Sequence, residues 1–182
     1  LFPRSSLDAM RLLNGQSELS EELQSELSAL ESVVVSLLKL ATSQGEVSII
    51  TNGESGWIEL SARRFLPGVL PMLSKVHLLS ARSTYEHQYP KAPVLWKAAA
   101  FSTVIHNHHD SVLSFGDTDV EREALLAATQ NEESTMKKNI KMMLRPSVQQ
   151  LKQQLELISH CFDYLITHKS DLDLSVALTG DQ

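Results

Sequence analysis

The chain has 182 residues, with 16 basic and 22 acidic side chains and a formal net charge of −6. One domain, residues 1–182, is the default expectation for this length, and the negative charge argues against nucleic-acid binding. No apolar run approaches the roughly 20 residues that a membrane helix needs, so no membrane association is expected. The single cysteine, Cys161, cannot form an internal disulfide, which favours a reducing, cytoplasmic location.

The hydrophobic pattern predicts alternating helices and strands. From Ser20 to about Gln44 apolar residues recur every three or four positions, and Ser20 is a suitable N-cap for this amphipathic helix. Short apolar runs predict strands at 47–50, 76–79, 111–115 and 140–144, and helical spacing predicts further helices at 55–66, 93–105, 119–130 and 147–168. Strands separated by helices predict a three-layer α/β/α, Rossmann-like fold with a parallel sheet.

Polar residues follow two of the predicted strands, where α/β folds place their ligand sites. Thr51-Asn52-Gly53 follows the first strand, and its side-chain and backbone donors could hold a phosphoryl group. An ordinary turn with a helix cap is the alternative. Lys97 lies on a predicted helix among apolar neighbours. Its ammonium could reach a phosphate at the sheet edge, and a solvated lysine is the alternative.

Carboxylates follow the third predicted strand. Asp117 stands at the strand end and Glu121 in the first turn of the next helix, an arrangement of hard oxygen donors that suits Mg²⁺. The same residues have a local explanation. Thr118 and Glu121 have capping-box spacing, and Asp117 or Asp119 could complement the helix dipole.

Two other kinds of site are disfavoured. His106, His108 and His109 with Asp110 offer zinc ligands, but they fall in a short loop without a second ligand pair at recognisable spacing. No G-x-S-x-G string provides a nucleophile, and Cys161 precedes Phe162 at a position where a small buried hydrophobe is expected.

Taken in order, Thr51, Lys97 and Gly116-Asp117 resemble the second, third and fourth motifs of the haloacid dehalogenase superfamily of aspartyl-phosphate hydrolases. The similarity extends to longer strings within 49–123, which resemble members of that superfamily from fungi, protists and other microbial eukaryotes. These strings are IITNGESGWIELSARRFLP, LLSARSTYEHQYP, PVLWKAAAF and SFGDTDVERE.

The resemblance implies a Mg²⁺-dependent phosphatase that acts on a phosphorylated substrate through an aspartyl-phosphate intermediate. By this similarity Thr51 would hydrogen-bond the phosphoryl group, and Lys97 would neutralise its charge and that of the nucleophile. Asp117 would help to hold Mg²⁺, with Glu121 as the second acid or Asp119 as the alternative.

The first motif of the superfamily, D-x-D-x-T, is absent from the sequence. Leu1-Phe2-Pro3 resembles the residues that follow it, so the chain is expected to begin just after its nucleophile and to be inactive as it stands. The superfamily's central strand, between the first and third strands predicted here, would then be missing, leaving two unpaired inner edges. The alternative function is a non-catalytic binding or scaffold protein of the same fold.

In the superfamily, specificity usually comes from cap insertions, and residues 7–22 and 83–93 are too few for a large cap. Little or no cap is therefore expected. Arg82, Tyr85, Glu86 and His87 could line the entrance, although an ordinary polar loop is the favoured interpretation.

Overall fold

The computed structural model describes residues 19–105 and 110–178, in which helices and strands alternate. The helices are α1 (Glu21–Gln44), α2 (Trp57–Phe65), α3 (Leu70–Leu73), α4 (Ala81–Tyr85), α5 (Pro93–Val104), α6 (Asp119–Ala128) and α7 (Val148–Thr167). The strands are β1 (Ser48–Thr51), β2 (His77–Ser80), β3 (Ser111–Gly116), β4 (Met136–Lys141) and β5 (Leu172–Ser175). Within the described ranges no helix is long and apolar enough to cross a membrane.

The two long helices begin where the sequence predicts. The Ser20 hydroxyl accepts the backbone N–H of Leu23 at 3.2 Å, which satisfies one of the free donors at the start of α1. Ser147 and Gln150 form the predicted capping box at the start of α7. The local signals for both helices are therefore confirmed.

The five strands form two parallel sheets. β1 pairs with β2, with Ile49 opposite Leu78, and β3, β4 and β5 form the second sheet in that order. Among the described residues β1 and β3 are not paired with each other. Each of these two strands therefore has one edge without a hydrogen-bonded neighbour among the described strands.

Helices cover both faces of the two sheets. On one face a large apolar cluster joins α1, α2, α3 and α7, and it receives Ile49 from the first sheet and Leu113 from the second. On the other face α5 and α6 form a cluster that receives Ile50 and Val112. Because neighbouring strand residues point to opposite faces, both sheets belong to one layer between two helical layers. The predicted α/β architecture with a parallel sheet is confirmed at this level.

Four elements differ from the sequence prediction. The fourth strand was predicted at 140–144 but runs from Met136 to Lys141. The prediction missed its first residues because the buried Lys138 and Asn139 interrupt the apolar pattern that identifies a buried strand. The strand β5 was not predicted, since its sequence LDLS is short and half polar. The short helices α3 and α4 were also not predicted. Leu1-Phe2-Pro3 and His106, His108 and His109 lie outside the described residues.

Candidate functional site

Thr51 is the last residue of β1, and Asn52 follows it. The Thr51 hydroxyl accepts the N–H of Gly53 at 2.9 Å, and Nδ2 of Asn52 donates to the Pro93 carbonyl at 3.3 Å. The loop is thereby folded against the start of α5. These contacts agree with the ordinary turn, and both side chains remain partly exposed.

Lys97 is buried rather than solvated. It lies on α5 with its side chain 10% exposed, and its Nζ is 2.8 Å from Oε1 of Glu121 and 3.5 Å from the carbonyl of Ile50 in β1. Because Glu121 follows the end of β3, the ammonium bridges the carboxyl ends of two strands that belong to different sheets. The structure thus brings Lys97 and Glu121 together between β1 and β3, which are not paired with each other among the described strands.

Both oxygens of the Glu121 carboxylate are engaged. Oε1 pairs with Lys97, and Oε2 accepts the hydroxyl of Thr118 at 2.5 Å and its N–H at 3.2 Å. The capping box of α6 is therefore present. Burial alone raises the pKa of this carboxyl, but the charge and hydrogen bond of Lys97, with the bond from Thr118, outweigh it and lower the pKa. Glu121 is held as an anion.

Gly116 makes this position of Glu121 sterically possible. A Cβ at residue 116 would lie 2.3 Å from Cγ of Glu121 and 2.5 Å from its Cβ, distances that real side chains do not tolerate. The absence of a side chain at the end of β3 thus lets the Glu121 side chain fold back toward Lys97. The sequence marks Gly116 only together with Asp117, as part of the string that resembles the superfamily's fourth motif, so this steric role was not predicted.

The other two acids lie at the surface. Asp117 is exposed in the loop between β3 and α6. Asp119 pairs with Lys141 at 2.7 Å, and its side chain is 69% exposed. Asp119 therefore points to a surface cation of β4, whereas Glu121 occupies the buried position beside Lys97.

The end of β2 adds polar residues that were not among the predicted site residues. The Ser80 hydroxyl donates to the Gly53 carbonyl at 2.6 Å and accepts the N–H of Ser83, while Ser83 accepts the N–H of Ser55 at 2.9 Å. These hydroxyls tie the loop after β1 to α4. A cavity of about 40 Å³ lies beside Thr51 and Ser80.

Arg82 holds the same loop from outside. Its Nε donates to Glu86 at 2.9 Å and a terminal nitrogen lies 3.4 Å from Glu54. The hydrogen bond and charge of Glu86 raise the pKa of Arg82, with a smaller contribution from Glu54. Glu54 and Glu59 both line the small cavity, so an anion would need to bind outside it. His87 is exposed, as in the polar-loop interpretation.

Ser114 is a second position that the sequence did not mark. It lies on β3, two residues before Gly116, and its Oγ is buried with no hydrogen-bond partner among the described residues. A buried hydroxyl without a partner is rare in folded proteins. Ser114 lies on β3, whose other edge has no hydrogen-bonded neighbour among the strands that the structure describes.

The described residues do not form a Mg²⁺ site by themselves. Across 19–105 and 110–178 no three His, Cys, Asp or Glu side chains lie close enough together to hold a metal ion. Glu121 gives its oxygens to Lys97 and Thr118, which leaves Asp117 as the freely exposed carboxylate of the predicted pair. Mg²⁺ normally takes one or two carboxylates with waters and phosphate oxygens, so Asp117 would need partners from elsewhere.

Comparison with known proteins gave no match to a family model, a curated protein or a solved structure.

Proposed function

We propose that this chain is a phosphatase-like domain of the haloacid dehalogenase type that binds the phosphoryl group of a phosphorylated substrate at the carboxyl ends of β1 and β3. The observation that carries the proposal is the buried Lys97, which bridges Ile50 of β1 and Glu121 after β3. A lysine held at the open ends of parallel strands is suited to neutralise a phosphate.

The separation of the two sheets also supports this proposal. In the superfamily a central strand carrying D-x-D-x-T lies between the equivalents of β1 and β3, and within 19–105 and 110–178 these two strands do not pair with each other. The proposed nucleophile therefore belongs to a segment that would occupy this gap. By the same resemblance that segment would bring the carboxylates that Asp117 needs as partners for Mg²⁺.

Thr51 and Asn52 have the proposed role of hydrogen-bond donors to the phosphoryl group. Their present contacts are short-range ones to Gly53 and Pro93. A hydroxyl donates one proton and still accepts, so the Gly53 contact leaves the Thr51 proton for a phosphate oxygen.

The first test uses the chain itself. Titration with inorganic phosphate is expected to shift the amide NMR signals of Thr51, Asn52 and Gly53. The variant K97M is expected to weaken these shifts, whereas K39M, which removes an exposed lysine of α1, is expected to leave them unchanged. Shifts that are absent, or that respond equally to K97M and K39M, would contradict the phosphoryl-binding role.

The second test concerns catalysis. A D-x-D-x-T strand segment joined ahead of Leu1 is expected to give Mg²⁺-dependent hydrolysis of p-nitrophenyl phosphate. D117A is expected to abolish this activity, and D163A, which removes an exposed acid of α7, is expected to preserve it. A folded, Mg²⁺-loaded fusion that hydrolyses no phosphoester would contradict the catalytic role.

The alternative function is a non-catalytic binding or scaffold protein of the same fold. The observation that favours it is that Glu121 is already fully paired with Lys97 and Thr118, an arrangement that stabilises the fold without a ligand. Phosphate-dependent shifts without hydrolysis by the fusion would support this alternative.

A further inference from the structure

A second cavity, of about 230 Å³, lies apart from the proposed phosphoryl site. It lies between α6, the middle strand β4 and the edge strand β5 of the second sheet. Its lining consists of three leucines, one asparagine, two cations and two acids: Leu125, Leu126, Leu172, Asn139, Arg122, Lys137, Asp171 and Asp173. This volume corresponds to roughly eight water molecules at about 30 Å³ each, which is the size range of a small metabolite.

A hydrogen-bonded network of polar side chains lines this cavity. Asn139 and Asp173 are paired in register across β4 and β5, and Nδ2 of Asn139 donates to Oδ1 of Asp173 at 2.9 Å. Nε of Arg122 donates to the other oxygen at 2.7 Å. The hydrogen bonds from Asn139 and then Arg122 lower the pKa of Asp173. Asp173 therefore stays ionised and fixes the position of Arg122.

Both cations keep donors for a ligand. Arg122 contacts Asp173 through Nε, so its two terminal nitrogens can face a second anionic group. The Lys137 ammonium donates to the carbonyls of Glu132 and Thr135, at 3.3 Å each, which uses two of its three N–H groups.

One acidic side chain of the cavity, Asp171, has a carboxylate oxygen left to accept a hydrogen bond. Oδ1 of Asp171 accepts the backbone N–H of Lys137 at 2.8 Å, and its second oxygen can accept from an ammonium. Because each cation of the cavity has an acid nearby, a ligand with only a negative charge or only a positive charge is repelled by the lining groups of its own sign. A molecule that carries both charges can satisfy both sets of groups. The apolar wall of Leu125, Leu126 and Leu172 adds a surface for an aliphatic group.

We propose that this cavity binds a small aliphatic α-amino acid, with its carboxylate at Arg122 and Lys137, its ammonium at Asp171 and its side chain against Leu126 and Leu172. The site is independent of the proposed phosphatase function.

The test is an NMR titration of the 182-residue protein with L-leucine. Saturable shifts are expected at the amides of Leu126, Asn139 and Asp173, with a dissociation constant on the order of millimolar for so small a ligand. Two fragments isolate the charges, since 4-methylpentanoate lacks the ammonium and 3-methylbutylamine lacks the carboxylate. Each is expected to bind at least about tenfold more weakly.

Variants locate the binding. R122Q is expected to weaken leucine binding at least about tenfold, whereas R63Q, at an exposed arginine of α2, is expected to leave it unchanged. If R122Q does not fold, L126A provides the same test, because Leu126 is 42% exposed and its truncation is tolerable. The proposal is overturned by absent or non-saturable shifts, by equal binding of the fragments, or by binding that L126A leaves intact.

Discussion

The Nζ of Lys97 and Oε1 of Glu121 lie 2.8 Å apart, and the two side chains are only 10% and 12% exposed. The pair joins α5 to α6 at the carboxyl ends of β1 and β3. Two charges so far removed from water depend on each other, because either one alone would be left without a counter-ion in the interior.

Removal of one partner is therefore expected to be costly. K97M and E121Q are each expected to lower the free energy of unfolding by about 3–5 kcal/mol, since each leaves an unpaired buried group. The double variant K97M/E121Q is expected to lose less than the sum of the two. Urea denaturation of the four proteins measures the coupling. Strictly additive losses would show that the pair contributes no net interaction.

The stability contributed by Glu121 depends on pH. Its pKa in the folded protein is lowered from 4.5, so folding favours the carboxylate, and this contribution is fully present above about pH 4.5 and is lost as the pH falls through the folded-state pKa. The stability difference between wild type and E121Q is therefore expected to be constant near neutrality and to shrink in acid. Chemical denaturation at a series of pH values measures it, and a difference that grows in acid would contradict the assignment.

Gly116 is expected to be intolerant of a side chain. G116A places a Cβ 2.3 Å from Cγ of Glu121, and overpacking of this kind costs about 1–3 kcal/mol, in addition to any displacement of Glu121 from Lys97. G45A is the matched control, since a Cβ at Gly45 meets nothing within 4 Å. Thermal unfolding is expected to show a clear loss for G116A and almost none for G45A. Equal melting temperatures would contradict the steric role.

Lys138 is expected to stabilise the end of α7. The residue is 0% exposed, and its Nζ donates to the carbonyls of Leu165 at 2.7 Å and Ile166 at 2.8 Å. These are among the last carbonyls of the helix, which lack partners within it. K138M leaves them unsatisfied and is expected to cost about 1–3 kcal/mol, whereas K39M at the exposed surface is expected to be nearly neutral.

The same lysine gives a second pH dependence. Burial, followed by the charge of Lys169, lowers the pKa of Lys138 from 10.5. The unfolded chain therefore binds this proton more readily, and stability is expected to rise with pH between the lowered pKa and 10.5. In K138M this rise is expected to disappear. A variant that keeps the full alkaline rise would assign it to another group.

The sequence predicted the elements whose signals are local. Ser20 caps α1 and Ser147 with Gln150 caps α7, because capping depends on residues within one turn. Apolar runs predicted β1, β2 and β3 to within a residue or two. In β4 the pattern failed, since Lys138 is buried by an interaction with α7 that neighbouring residues do not reveal.

The candidate site was predicted as a set of residues but not as a set of contacts. Thr51, Lys97 and Glu121 were marked as candidates, and the structure joins Lys97 to Glu121. The Lys97–Glu121 pair links α5 to α6. The two interpretations of Glu121 from the sequence, as a metal ligand and as a helix cap, used only residues close to it in the chain. The requirement for glycine at 116 was missed for the same reason, because it depends on how the Glu121 side chain folds back.

The apolar cluster that contains α1 and α7 has a consequence for folding cooperativity. It receives Ile49 from one sheet and Leu113 from the other, and β1 and β3 share no backbone hydrogen bonds in the described parts of the chain. The two sheets are therefore coupled through side-chain packing of the helices rather than through a continuous ladder. Loosening that packing would let amide protons in the two sheets exchange with solvent at different rates, as two separate folding units.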